Sequence, residues 1–213
     1  MITAFSATVA TESGTENHYI DYLDSDLGGL RPGEVYQLRI PGRAVSNGAT
    51  FQLNAVIFAD GTKEGSRPHL AYLESGRLGV ILETERVKAI LESQPLSSGA
   101  DEGVDAIIAL VGSLPSSVEE ARSSLGSTRV QGTSLNDMNT ADEDTLHAFL
   151  EGVRNAREGC QRRLAEVKHA PAISAGAGVM TQSGAASALR QMYGKKSAAN
   201  RAYCEKVRAE VPK

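Results

Sequence analysis

With 213 residues, a hydrophobic fraction of 41% and a charged fraction of 23%, the chain has the length for one large domain or two small ones and the composition for a packed core. Trp is absent and other aromatics are few, so the core must rest on Leu, Ile, Val and Ala, and no apolar run approaches the ~20 residues of a membrane span. The net charge of −4 hides a polarity, with −4 on residues 1–62, −8 on 63–153 and +8 on 154–213, which implies an internal electrostatic partnership or a basic surface for an anionic partner.

The first residues lack the basic stretch of a secretory signal and read as a strand from Ile2 to Thr11, with Phe5, Ala7 and Val9 on one face. A chain that begins in a strand fits a trimmed product, which leans the expected location toward the extracytoplasmic side. After the polar turn ESGTEN, a second strand is predicted from His18 to Leu23, followed by the acidic, Gly-rich loop DSDLGGLRPGE and a third strand from Val35 to Ile40.

The clearest strand lies in FQLNAVIFADGTKE, Phe51 to Glu64. Strict alternation puts Phe51, Leu53, Ala55, Ile57 and Ala59 on one face; the other face starts polar and turns apolar at Val56 and Phe58, as in a strand whose far half is covered on both sides. Asp60-Gly61 supplies the turn. The face bearing Val56 and Phe58 is where the helical remainder is expected to pack. Four strands at this spacing, LRPGEVYQLRI among them, resemble the turn-rich modules of the immunoglobulin-like class, as a partial sandwich.

From Ser66 the apolar period changes to three and four. Ser66 is the expected N-cap, Pro68 sits in the first turn, and Leu70, Leu73, Val80, Ile81, Val87 and Leu91 form the stripe as far as Ser93. Gly76 and Gly79 are weak points or sites of close contact. A second helix is predicted from about Ala100 to Gly112, and a short third from Ser116 to about Leu125. A long fourth runs from Thr140 to His169, with Thr140 and Glu143 as a capping box, and a last from about Ala185 to Ala209. The fold class is thus α+β: an antiparallel β unit over residues 1–62, packed on and sharing a core with a bundle of four to five helices over residues 63–213.

Chemistry is sparse. Cys160 and Cys204 fall on the two longest C-terminal helices, where a disulfide is possible in an oxidising compartment. Two isolated cysteines with no Cys or His at ligand spacing make no zinc site, and His18, His69, His147 and His169 are scattered outside any catalytic pattern. Gly176-Ala177-Gly178 follows a helix rather than a strand and lacks the Walker lysine, so no cofactor site is expected. Arg162, Arg163, Lys195, Lys196 and Arg201 are the candidate anion-binding residues. The leading expectation is a soluble, non-enzymatic structural or protein-interaction protein that self-assembles or takes a partner strand on an exposed sheet edge. The alternatives are anion or nucleic-acid binding through the basic helices, and an enzyme with a site in the groove between β unit and bundle.

Overall fold

The computed structural model describes residues 1–11, 14–22, 29–35, 49–93, 101–114, 117, 142–169 and 182–209. Among these the protein is a mixed α+β structure: four antiparallel strands in one open sheet, β1 (Ile2–Thr11), β2 (Gly14–Asp21), β3 (Thr50–Phe58) and β4 (Lys63–Gly65), and four helices, α1 (Arg67–Ser93), α2 (Asp101–Gly112), α3 (Glu143–His169) and α4 (Gln182–Ala209). The sheet order is β2-β1-β3-β4. Positions 36–40 of the expected third strand and the short helix expected around 118–125 lie outside the described residues.

β1 and β2 form a hairpin that starts earlier than the sequence suggests, because Thr11 already pairs with Gly14 and Thr8 with Asn17. The positive φ of Gly14, 136°, lets the chain reverse there. Asn17, read as part of a turn, is held in the ladder by its side chain, whose Oδ1 accepts from Thr8 Oγ1 at 2.7 Å.

β3 carries a bulge that decides the faces of the sheet. Ser6 pairs with Ala55 but Ala7 pairs with Leu53, so Asn54 is an extra residue on β3. Beyond it the alternation resumes out of phase. Phe51 and Leu53 therefore share a face with their partners Val9 and Ala7, not with Ala55 and Ile57.

The helices cover the opposite face from the one expected. Ala4, Ala55 and Ile57 pack with Leu73 and Ile81 of α1 and Tyr203 of α4. Val56 and Phe58 instead join Phe5, Ala7 and Tyr22 on the far face, beneath Leu30. The connection explains the choice: β4 is only three residues long, Ser66 N–H donates to Asn54 O at 2.9 Å, and α1 starts at once over the nearer, small-residue face.

α1 is the central helix, buried on several sides. Toward α3 it presents Gly76 and Gly79. A Cβ on Gly79 would strike the Phe149 carbonyl and come within 2.9 Å of Val153 N, and one on Gly152 would strike the Gly76 carbonyl, so the two helix backbones touch. The far end of α1 builds a second core, in which Val87 and Leu91 meet Val104, Ile107 and Val111 of α2, Cys160 and Leu164 of α3, and Leu189 and Tyr193 of α4.

Asp142 caps α3: its carboxylate accepts the Thr145 N–H at 2.7 Å and its carbonyl takes the Leu146 N–H, while Thr140 of the expected capping box lies outside the described residues. These hydrogen bonds hold the Asp142 carboxyl below its usual range. No described helix is long and apolar enough to cross a membrane.

Candidate functional site

The helix-facing side of the sheet is not uniformly apolar. Pairing puts Ser6 opposite Tyr19, and Ala4 opposite Asp21, so β1 and β2 carry a hydroxyl, a phenol and a carboxylate toward α1. α1 answers with residues one turn apart, His69, Tyr72, Leu73 and Arg77. Each polar group finds a partner at the seam.

Arg77 is the anchor. Its side chain is 1% exposed, and a charge so placed persists only when paired and hydrogen-bonded. Nε donates to Asp21 Oδ2 at 2.8 Å and Nη2 to Asp21 Oδ1 at 2.9 Å, a two-point fork. Nη2 also reaches the Thr3 carbonyl at 3.1 Å. The guanidinium lies 4.5 Å from the centre of the Tyr203 ring of α4. Burial alone works against the charge, but Asp21 outweighs it, and the Arg77 pKa rises above its ordinary value. One side chain thus ties β1, β2, α1 and α4 together.

Beside it stands an aromatic pair. Tyr19 and Tyr72 stack with centroids 3.8 Å apart and planes 22° from parallel. Tyr72 donates to Glu151 Oε2 of α3 at 2.8 Å. His69 Nδ1 lies 3.3 Å from both Tyr19 Oη and Ser6 Oγ. Burial first, then the neighbouring carboxylate Glu151, pushes the Tyr72 phenol well above the ordinary tyrosine range; burial likewise raises Tyr19. Both phenols stay protonated, and Tyr72 acts as a donor.

These residues open onto a cavity of about 280 Å³ between β2, α1 and α3. Tyr19 and Tyr72 form one wall, and Asp21, Arg77, Glu151 and Asn155 supply its polar atoms. Gly76 and Gly152 line it where the backbones touch. Ser6 and His69 resemble a nucleophile and base by residue type only: Ser6 is wholly buried, so its Oγ is a packed hydroxyl. No three His, Cys, Asp or Glu side chains among the described residues gather as metal ligands would.

A second polar cluster sits deeper in the bundle. Glu83, fully buried, accepts from Arg157 Nε at 2.8 Å, and Arg157 Nη1 donates to the Leu114 carbonyl at 2.7 Å. Such a pair is retained because each member answers the other's charge.

The residues singled out from the sequence disperse. Cys160 and Cys204 are free thiols in different cores: Cys160 packs with Tyr193 in the bundle, and Cys204 packs against the sheet-side cluster. Burial raises the Cys160 thiol above its ordinary range. Of the basic residues, Arg162 and Lys195 are exposed on different helices. Lys196 is buried, 5.8 Å from the Tyr193 ring centre, and Arg163 is half-buried. Arg201 pairs with Glu85 at 3.4 Å. Lys168 with Asp105, at 2.7 Å, and Arg157 with Glu83 add two more links between the basic third and the acidic middle. His18 lies 3.8 Å from Glu16 on β2, and His147 is exposed on α3.

The other candidate is the sheet edge. β4 covers only Ala55, Val56 and Ile57 of β3, so no described strand pairs with the outer side of Thr50 to Leu53. Phe51 and Leu53 are 62% and 51% exposed there.

Comparison with protein-family models, curated proteins and solved structures finds no match to this chain.

Proposed function

We propose that the protein is a non-enzymatic interaction protein that self-associates through the open edge of β3. The observation that carries this reading is the stretch Thr50 to Leu53, where a strand edge free of described partners coincides with two large exposed apolar side chains. Natural sheets usually guard such an edge with Lys, Pro or a covering segment. Residues 50–54, TFQLN, hold no charge and no proline.

The sequence of the edge favours a second copy as the occupant. Antiparallel addition about Gln52 sets Gln52 against its own copy, Phe51 against the copy's Leu53, and Leu53 against the copy's Phe51. The apolar-polar-apolar order reads the same in both directions, as a two-fold interface requires, and no like charges meet. The contact is small, which places it among weak, concentration-dependent associations.

Light scattering over a concentration series tests it. The wild-type mass should rise toward that of a dimer, and Leu53→Lys, which places a charge on the edge without touching the core, should hold the protein at monomer mass. A wild-type monomer at every concentration, or a dimer indifferent to Leu53→Lys, overturns the reading.

A further inference from the structure

The groove beneath the tyrosine stack has a charge balance that selects a ligand class. Asp21 is answered by the two-point contact of Arg77. Glu151 has weaker compensation: Tyr72 gives it a neutral donor, and Arg154, itself mostly exposed, approaches only to 3.9 Å. Asp144 adds to the same field, since its charge acts on both tyrosines. The cavity therefore holds a surplus negative charge beside aromatic rings, with apolar surface from Leu73 and Val80 and a polar side chain, Asn155, at its wall.

An anion entering this space would meet Glu151, and a neutral molecule would remove water from Glu151 without replacing it. A cation gains on both counts, from the carboxylate and from the electron-rich aromatic wall. The volume, about 280 Å³, is at the small end of ligand cavities. We propose that the groove between β2, α1 and α3 binds a small organic monocation, an arylalkyl- or alkylamine whose ammonium pairs with Glu151 and whose apolar body lies along Tyr19 and Tyr72. This site is independent of the β3 edge, which lies on the other side of the sheet's centre.

The test uses the full chain and three probes of one shape: phenethylamine, 2-phenylethanol and phenylacetate, titrated by calorimetry and by NMR of the tyrosine rings. Phenethylamine should bind and shift the Tyr19 and Tyr72 resonances, with the alcohol and the carboxylate at least tenfold weaker. Glu151→Gln should weaken the amine at least tenfold and leave the alcohol unchanged, its circular dichroism matching the wild type. Should that variant fail to fold, Asn155→Asp, which adds a carboxylate at the wall, should tighten amine binding severalfold. Phenylacetate binding as well as the amine, amine binding indifferent to these variants, shifts confined to other tyrosines, or no amine binding at all would each overturn the assignment.

Discussion

On its sheet side α1 extends Leu73, Arg77 and Ile81, long side chains that reach β1, β2, β3 and α4. On its α3 side it offers Gly76 and Gly79, which let backbone lie on backbone against Phe149, Gly152 and Val153. The first seam is held by directional chemistry that can be broken by removing a group. The second is held by the absence of side chains and can be broken by adding one. A single helix thus shows two ways of fixing an interface, and the cavity lies where they meet.

Removing a group should do the greater damage. Arg77→Met leaves the Asp21 carboxylate without its fork and should destabilise the fold by about 3–5 kcal/mol, as when one partner of a buried pair is lost. Chemical denaturation measures this, and the double variant Arg77→Met with Asp21→Leu should recover part of the loss, because no charge is then left alone. If the single and double variants were equally destabilised, the pair would not be what holds the sheet to α1.

Adding a group comes next. Gly152→Ala puts a methyl against the Gly76 carbonyl, and the helices must separate to admit it; about 1–3 kcal/mol is the usual range for such overpacking. Helical propensity alone predicts the opposite sign, since Ala improves on Gly in a helix interior by ~1 kcal/mol. A variant more stable than the wild type would therefore show that the backbones do not touch.

The smallest effect belongs to the entry of α3, away from both seams. Asp142 binds its proton less readily when folded than when unfolded, so its contribution is present above the ordinary carboxylate range and vanishes as pH falls through the folded value. The melting temperature of Asp142→Asn should lie slightly below that of the wild type at neutral pH, and the gap should close in acid. A gap that widened on acidification would remove Asp142 as the cap.

The elements themselves were largely legible. The change of period at Ser66 marks the start of α1, and the strand at Phe51 to Phe58 follows from its alternation. What escaped was phase and cover. The bulge at Asn54 has no local signature, and it moves Phe51 and Leu53 to the face opposite Ala55 and Ile57. Both faces of β3 are apolar over Ala55 to Phe58, so alternation alone leaves open which face the helices take. The groove escaped for another reason: Tyr19 and Asp21 on an edge strand, and Arg77 on a helix, fall in no sequence motif. Arg77, and likewise Glu83 with Arg157 in the bundle, are buried because their partners arrive from segments 56 and 74 residues away in sequence. Gly76 and Gly79 announced either a weakness or a contact, and only α3 decides which.

The place of β1 at the centre of the sheet also orders the folding reaction. Its pairing with β2 is local and belongs to the microsecond events of hairpin formation. Its pairing with β3 closes a far longer loop, which makes it the slower step. Until then the second side of β1 is bare. α1 is in a similar position, since two glycines weaken it as an isolated helix and its partner Gly152 lies some seventy residues downstream. During synthesis the N-terminal ribbon should therefore form early, while the helix that will cap it gains persistence only after α3 has left the ribosome.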